Sequence, residues 1–400
     1  MRTSVRQPSS TGFAPESRAE RLLRRILRDA LPSWPAPTDA AFERRFLDTC
    51  QEHGVAALVH HHVKPTAAWQ DWPVVVREAL TRETAMQAAL DMLREDEVVA
   101  VLERLQAAGI QTVLLKGTPL AYSHYAAPRL RPRCDTDLLV PAAGRAAAAR
   151  VLKAMGYLRP NAVRGRLVSY QESFHRKAGS VDHVVDVHWR INNSQVFAEA
   201  LSFDAALARS VAVPQLGPAA RALFPPHALL LACMHRAAHL YADGGDGNRL
   251  IWLHDIHLLA NAMTAEEWQQ FRKLFTVAQM RRICVDAFAA THRAFATVLP
   301  DLLVEELAAA SPRELSAEYL HAKRWRILLT DLRALATWRD RATLLGEACF
   351  PDADYVLARY GAHSRRSLPW LYLRRAIAGI GKLSGLGPVR GAPRLDADAQ

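Results

Sequence analysis

Several absences narrow this chain before any motif is read. No uninterrupted apolar run reaches the roughly 18 residues that a membrane-spanning helix needs, although 50% of the 400 residues are hydrophobic. An integral membrane protein is therefore excluded. The five cysteines, Cys50, Cys134, Cys233, Cys284 and Cys349, are odd in number and include no CxxC pair. That argues against a disulfide framework or a zinc-finger module and predicts a reducing, cytoplasmic setting. No acid precedes Glu16, and the apolar stretch of a secretory signal is missing. Residues 1–16, rich in Ser, Thr, Pro and Arg, are expected to be disordered. With 23% charged and 8% aromatic residues the chain is neither a disordered polymer nor a fibre, and its length allows one large domain or two to three smaller ones.

Acid is also missing near the other end. From Arg359 to Arg394 there are eight basic residues and no Asp or Glu, so the net charge of +11 leaves only +3 for everything else. A charge confined to one end weakens a nucleic-acid groove and predicts no specific nucleic-acid partner. It fits a solvated tail, or one in weak peripheral contact with an anionic membrane surface. Pro369 to Lys382 mixes aromatic, aliphatic and basic residues, as interfacial helices do. A helix packed on its own domain has the same composition and is the preferred reading, because Gly379 and Gly381 lower helix propensity. Residues 386–400 are expected to be disordered.

What is present changes period along the chain. Ser17-Arg-Ala-Glu20 has capping-box spacing, and the apolar residues that follow recur at helical intervals. Helices are predicted at about 38–53 and 74–108, ending at Gly54 and Gly109. Thr112 to Leu115 then reads as a short buried strand, and Cys134 to Val140 as a second, closed by Pro141. A hairpin is predicted from Val168–Arg176 and Val181–Ile191 around Lys177-Ala-Gly-Ser180. From about Val196 the pattern is helical nearly to the end. The predicted architecture is α+β, a small mixed sheet embedded in a mostly helical protein. Its parts are an N-terminal helical region at 17–95, a sheet-bearing core at 96–195 and a C-terminal helical region at 196–385.

Three features within 96–195 carry chemistry. Asp135-Thr-Asp137 opens a strand, where Asp is depleted, and alternation sends both carboxylates to one face about 6.5 to 7 Å apart. Crowded carboxylates repel, and a divalent cation removes that cost; an oxygen-only donor set suits Mg²⁺. Val184-Val-Asp186-Val-His188-Trp189 sets a third carboxylate in an apolar strand, with His188 on the same face. Pairing the two strands would gather three carboxylates, enough to hold two cations for phosphoryl chemistry. Leu115-Lys116-Gly117-Thr118 runs from strand to helix, so its amides form a phosphate seat beside the Lys116 ammonium. The bland counterparts are a solvated strand start, a salt bridge from Asp186 to an arginine and an ordinary turn glycine.

Taken together, Leu114-Leu-Lys-Gly117, Arg131, Asp135-Thr-Asp137-Leu-Leu-Val140, Gly156-Tyr157 and Asp186-Val-His-Trp189 resemble the bacterial nucleotidyltransferase family of the DNA polymerase beta superfamily. His235, Arg249-Leu-Ile-Trp-Leu-His-Asp-Ile256 and Phe350-Pro351 are similar to that family's helical half. The resemblance spans roughly residues 85–380. It implies a polymerase-beta-like core, a nucleoside triphosphate (ATP among the candidates), two Mg²⁺ ions and transfer of a nucleoside monophosphate to a hydroxyl on a small molecule or protein, with release of pyrophosphate. Asp135, Asp137 and Asp186 would be catalytic metal ligands. Lys116, Gly117, Thr118 and Arg131 would bind phosphate, and His188, His235, Arg249 and Asp255 would line the cleft. Thr118 stands where that motif has Gly or Ser, and Thr136 where it has a hydrophobic residue. An inactive nucleotide-binding or regulatory protein of the same fold is the alternative.

The histidines offer a competing site. His235 and His239 lie four apart, and His254-Asp255 follows, an order similar to that of HD-type metal phosphohydrolases. Histidine on an apolar helix face is more often a hydrogen-bonded core residue, so this set ranks below the three carboxylates. His60-His61-His62 is read as a helix end near the surface.

Overall fold

The computed structural model describes residues 17–28, 33–35, 38–240, 246–301, 303, 313–320, 324–362 and 364–384. The expected disordered ends, 1–16 and 386–400, lie outside them. Helix α1 (Arg18–Leu27) starts where the Ser17 hydroxyl accepts the Glu20 amide. It is followed by α2 (Ala40–His53), closed by Gly54 in the left-handed region, and α3 (Ala56–Val63). His60 is buried rather than superficial, packed edge-on to Trp69 with Nε2 3.2 Å from the Thr81 hydroxyl.

The 34-residue α4 (Val74–Ala107) crosses from one hydrophobic core to another. Val76 and Leu80 pack in the first core with α1–α3, around Phe46 and Trp72. Val98, Val101, Leu102 and Leu105 pack in the second, beneath the sheet. The helix runs through residues 95 and 96, where the sequence suggested a division.

The remaining elements of the sheet region are β1 (Val113–Leu115), α5 (Gly117–Ser123), β2 (Thr136–Leu139), α6 (Arg145–Ala154), β3 (Gln171–Ala178), β4 (Val181–His188), the short helices α7 (Gln195–Ala198) and α8 (Phe203–Ala208), β5 (Val211–Ala212) and β6 (Arg221–Ala222). They form one mixed six-stranded sheet in the order β3-β4-β2-β1-β6-β5. β2 runs antiparallel to β1 and parallel to β4, whereas β6 runs parallel to β1. The expected uninterrupted helical stretch after Val196 is thus corrected: the β5–β6 pair completes the sheet first. Two-residue strands carry no readable period, and Pro214 and Gly217 mark only a turn.

Alternation gives the two sheet faces different fates. Leu114, Leu138, Val185 and Val187 point into the core beneath, against α4 and Tyr157. Val113, Leu115 and Leu139 point to the other face, toward the core that includes α9 (Pro225–His239), α10 (Leu250–Ala262), α11 (Ala265–Val277) and α12 (Arg281–Phe295). Asp137, Asp186 and His188 share this second face, so the carboxylates are turned toward the helical half.

Helices α13 (Arg324–Ala334), α14 (Trp338–Cys349), α15 (Ala353–Tyr360) and α16 (Leu368–Ser384) complete the described chain. Glu347 of α14 accepts the backbone amides of Arg166, Leu167 and Val168 at 2.7 to 2.9 Å, strapping these helices to the segment before β3. Among the described residues no helix is long and apolar enough to cross a membrane.

Candidate functional site

The register of the sheet builds the site. Asp137 is the Cα partner of Asp186 across the parallel β2–β4 pair, and Leu139 is the partner of His188. One ligand atom from each of Asp137, Asp186 and His188 lies within 4.8 Å of the others, and all three residues are buried. Asp137 Oδ1 accepts the Lys116 ammonium at 2.6 Å and lies 2.8 Å from His188 Nε2. Burial opposes the charge of Asp137, but Lys116 and His188 outweigh it and hold the carboxyl well below its usual range. Burial likewise works against the Lys116 ammonium, and Asp137 more than offsets it, raising that pKa.

Asp186 is held differently. Its Oδ2 accepts the Gln171 amide at 3.1 Å, while its buried Oδ1 has no hydrogen-bond partner. His188 Nδ1 is also buried and unpartnered. Such atoms cost about 1–3 kcal/mol each when nothing serves them, so these two are available to a bound ion or substrate. Asp135 precedes β2 rather than lying within it, and it lines the cavity as an exposed residue. Crowding by protein atoms and then the charge of Asp137 raise its pKa to about 6.

The turn after β1 supplies the next part. Lys116 has φ 56° and ψ −129°, a conformation rare for a residue with a side chain, and it caps α5. Gly117 follows, where a Cβ would meet the Arg131 guanidinium at 2.9 Å. Only glycine fits there without moving that arginine. The Thr118 hydroxyl reaches toward the Asp135 carbonyl at 3.5 Å.

Arg131 does not stand free toward the cavity. Its Nε and Nη2 donate to both oxygens of Asp255 on α10, at 2.8 to 3.1 Å, and Tyr125 donates to the same carboxylate at 2.7 Å. Two residues singled out separately in the sequence are therefore each other's partner. The two neighbouring arginines differ: Arg133 is taken by Asp91 and Tyr122, across α4 and α5.

A cavity of about 500 Å³ separates the sheet from α9 and α10. Lys116, Gly117, Arg131, Asp135, Asp137 and Asp186 line one wall; His235, His239, Arg249, Trp252 and Asp255 line the other. The His235 ring lies 4.2 Å from His239 and 4.6 Å from Trp252, and Arg249 stands over Trp252. Burial, then the nearby Lys116 charge, hold His235 well below its ordinary pKa and so neutral. Gln171, Tyr125 and Trp252 escaped the sequence reading, because their roles depend on strand register and helix docking.

Among the described residues the HD-type set does not come together as a metal site. His254 does not line the cavity; it packs among Tyr125, Phe295 and His257 and is lowered by burial to a pKa of about 3. Asp255 is committed to Arg131 and Tyr125.

The chain belongs to the family described as uncharacterised nucleotidyltransferases, whose model matches residues 40–296. A solved structure titled as an antigenic nucleotidyltransferase-like protein from Paracoccidioides brasiliensis is similar over 53% of this chain and 96% of that one, at 13% identity and a TM-score of 0.30. No curated protein matches the chain.

Proposed function

We propose that the protein is a Mg²⁺-dependent nucleotidyltransferase of the polymerase-beta-like kind. It moves a nucleoside monophosphate from a nucleoside triphosphate to a hydroxyl acceptor and releases pyrophosphate. The observation that carries this reading is the in-register pair Asp137 and Asp186, with Asp186 Oδ1 buried and partnerless in the same cavity wall as Gly117.

The carboxylate oxygens of Asp137 and Asp186, which come together with His188, fit Mg²⁺ and would hold an ion, with His188 supporting Asp137; Asp135, outside that cluster, would add its carboxylate from the start of β2. When bound, the ions neutralise triphosphate charge and acidify the acceptor hydroxyl. The residues of the chain do the rest. The turn at Gly117 seats phosphate oxygens, with Thr118 buried behind it, and Lys116 supplies positive charge beside them. Asp186 Oδ1 orients the acceptor hydroxyl and takes its proton as the oxygen attacks the α-phosphorus. The bond from that phosphorus to the bridging oxygen breaks, and pyrophosphate carries the electron pair away. Arg131, through its bond to Asp255, braces the two walls rather than touching phosphate. His235, Arg249 and Trp252 shape the opposite wall, where the acceptor or base is held.

A second reading, nucleotide binding without turnover, is favoured by one observation: the Lys116 ammonium already neutralises Asp137. Incubation with labelled nucleoside triphosphate, Mg²⁺ and a panel of hydroxyl acceptors distinguishes the two. Acceptor-dependent label transfer that falls at least ~100-fold in Asp186→Asn, with nucleotide affinity kept, supports transfer. Tight nucleotide binding with no label transfer in the native chain supports the second reading.

A further inference from the structure

We infer that the C-terminal helices form an anionic-membrane docking surface, centred on α16. The observation is independent of the catalytic reading and lies outside the residues matched by the family model. Among the described residues, helix α16 is fastened mainly by one side, with Arg374 also lying over Tyr360. Leu371 is buried, the Tyr372 hydroxyl donates to the Pro351 carbonyl, and Arg375 donates to the Ala348 carbonyl and lies over Tyr355. The opposite side carries Trp370, Leu373 and Ile377, spaced three and four apart, so they form one stripe. These side chains are 64%, 51% and 61% exposed.

Single exposed apolar residues are ordinary, but a stripe of three is not. Its surroundings repeat the theme. Every large aromatic side chain that is exposed among the described residues, Trp325, Trp338, Phe350 and Trp370, belongs to residues 324–384. The same span holds eleven Lys and Arg against five Asp and Glu, a net +6 of the chain's +11. Its acids are partly spoken for: Glu347 holds three backbone amides, and Asp331 accepts from Tyr319 and Val196. Arg366 and Arg374, four residues before and after Trp370, are both exposed.

An apolar stripe edged by cations selects its occupant. A bilayer carrying anionic headgroups offers acyl chains to Trp370, Leu373 and Ile377 and phosphates to the arginines around them. A nucleic acid meets the arginines and stacks on Trp370, but it leaves Leu373 and Ile377 in water. A second copy brings the same basic surface and repels. The charge and the aliphatic residues together point to the lipid.

The test is co-sedimentation of the full chain with phosphatidylserine-rich vesicles and with pure phosphatidylcholine vesicles at low salt, alongside tryptophan emission. We expect binding and a blue shift with the anionic vesicles alone. The triple variant Trp370→Ser, Leu373→Ser, Ile377→Ser should weaken binding at least about tenfold, and Arg366→Glu with Arg374→Glu should weaken it comparably in a salt-dependent way. Because these positions are exposed, both variants should keep the native melting temperature; the charge variant serves as the test should the triple one fail to fold. No binding to anionic vesicles, or equal binding by native and variant chains, overturns the proposal. So does a dimer in light scattering, or RNA binding, that the triple variant abolishes. Nucleotide binding at the cavity is read separately, so either conclusion can fail without the other.

Discussion

Lys116 is where residue chemistry and backbone geometry meet. Its positive φ is a conformation that costs of order 1–3 kcal/mol, retained where the surroundings insist on it. Here the return is an ammonium 2.6 Å from a carboxylate that would otherwise be buried beside Asp186 without a cation. Removing one partner of such a pair leaves the other uncompensated. Lys116→Met should therefore lower stability by about 2–3 kcal/mol in chelator, allowing for the partial exposure of the lysine. Added Mg²⁺ or Mn²⁺ should restore more stability to the variant than to the native chain, since the divalent ion takes over neutralisation of Asp137. Melting temperatures measured with and without metal decide this; equal metal-induced shifts in both chains would contradict it.

At the scale of elements, docking depends on a few buried polar ties. Asp331 on α13 accepts the Tyr319 hydroxyl at 2.6 Å and the Val196 amide at 3.4 Å, and burial raises its pKa from 3.8 to about 6. A carboxyl raised by folding stabilises fully below its unfolded pKa, and that contribution is lost as pH climbs through the folded value. Asp331→Asn keeps both acceptor contacts and stays neutral. It should match the native chain near pH 4 and exceed it by about 1–2 kcal/mol at pH 7, as read from denaturant midpoints. A variant less stable at pH 7 than at pH 4, relative to native, would show that the charged form is the one the fold prefers.

The other element-scale tie spans the cavity. Arg131 leads into β2 and Asp255 sits on α10, so their bidentate pair fixes the distance between the walls. Asp255→Ala strands a buried guanidinium and should cost about 3–5 kcal/mol. Arg131→Lys, which keeps the charge and loses the fork, should cost less but raise KM with little change in kcat. A fall in kcat alone would give Arg131 direct contact with the reacting phosphate instead.

On the scale of the whole molecule, legibility followed periodicity. The alternation through Asp135 to Val140 and Val181 to His188 set which residues share a face, and the parallel register then brought Asp137 beside Asp186. Asp135 and Asp137 are both acids of one motif, yet only Asp137 is buried in the sheet; the strand begins at Thr136, and strand ends are decided by pairing rather than by composition. The β5–β6 pair was invisible because two residues hold no period. The Arg131–Asp255 partnership joins positions 124 residues apart and needs the docking of α10, which no local pattern encodes. The orphaned Asp186 Oδ1 is likewise a property of neighbours and not of spacing.

The spine shared by the two hydrophobic cores has a thermodynamic consequence. Because Val76 and Leu80 anchor one end of α4 in the helical core and Leu102 and Leu105 anchor the other under the sheet, fraying at either end loosens the beam for both. Sheet and bundle should accordingly melt as a single cooperative event, and a ligand gripping the acidic strands would protect amides far away in α2 from exchange with solvent.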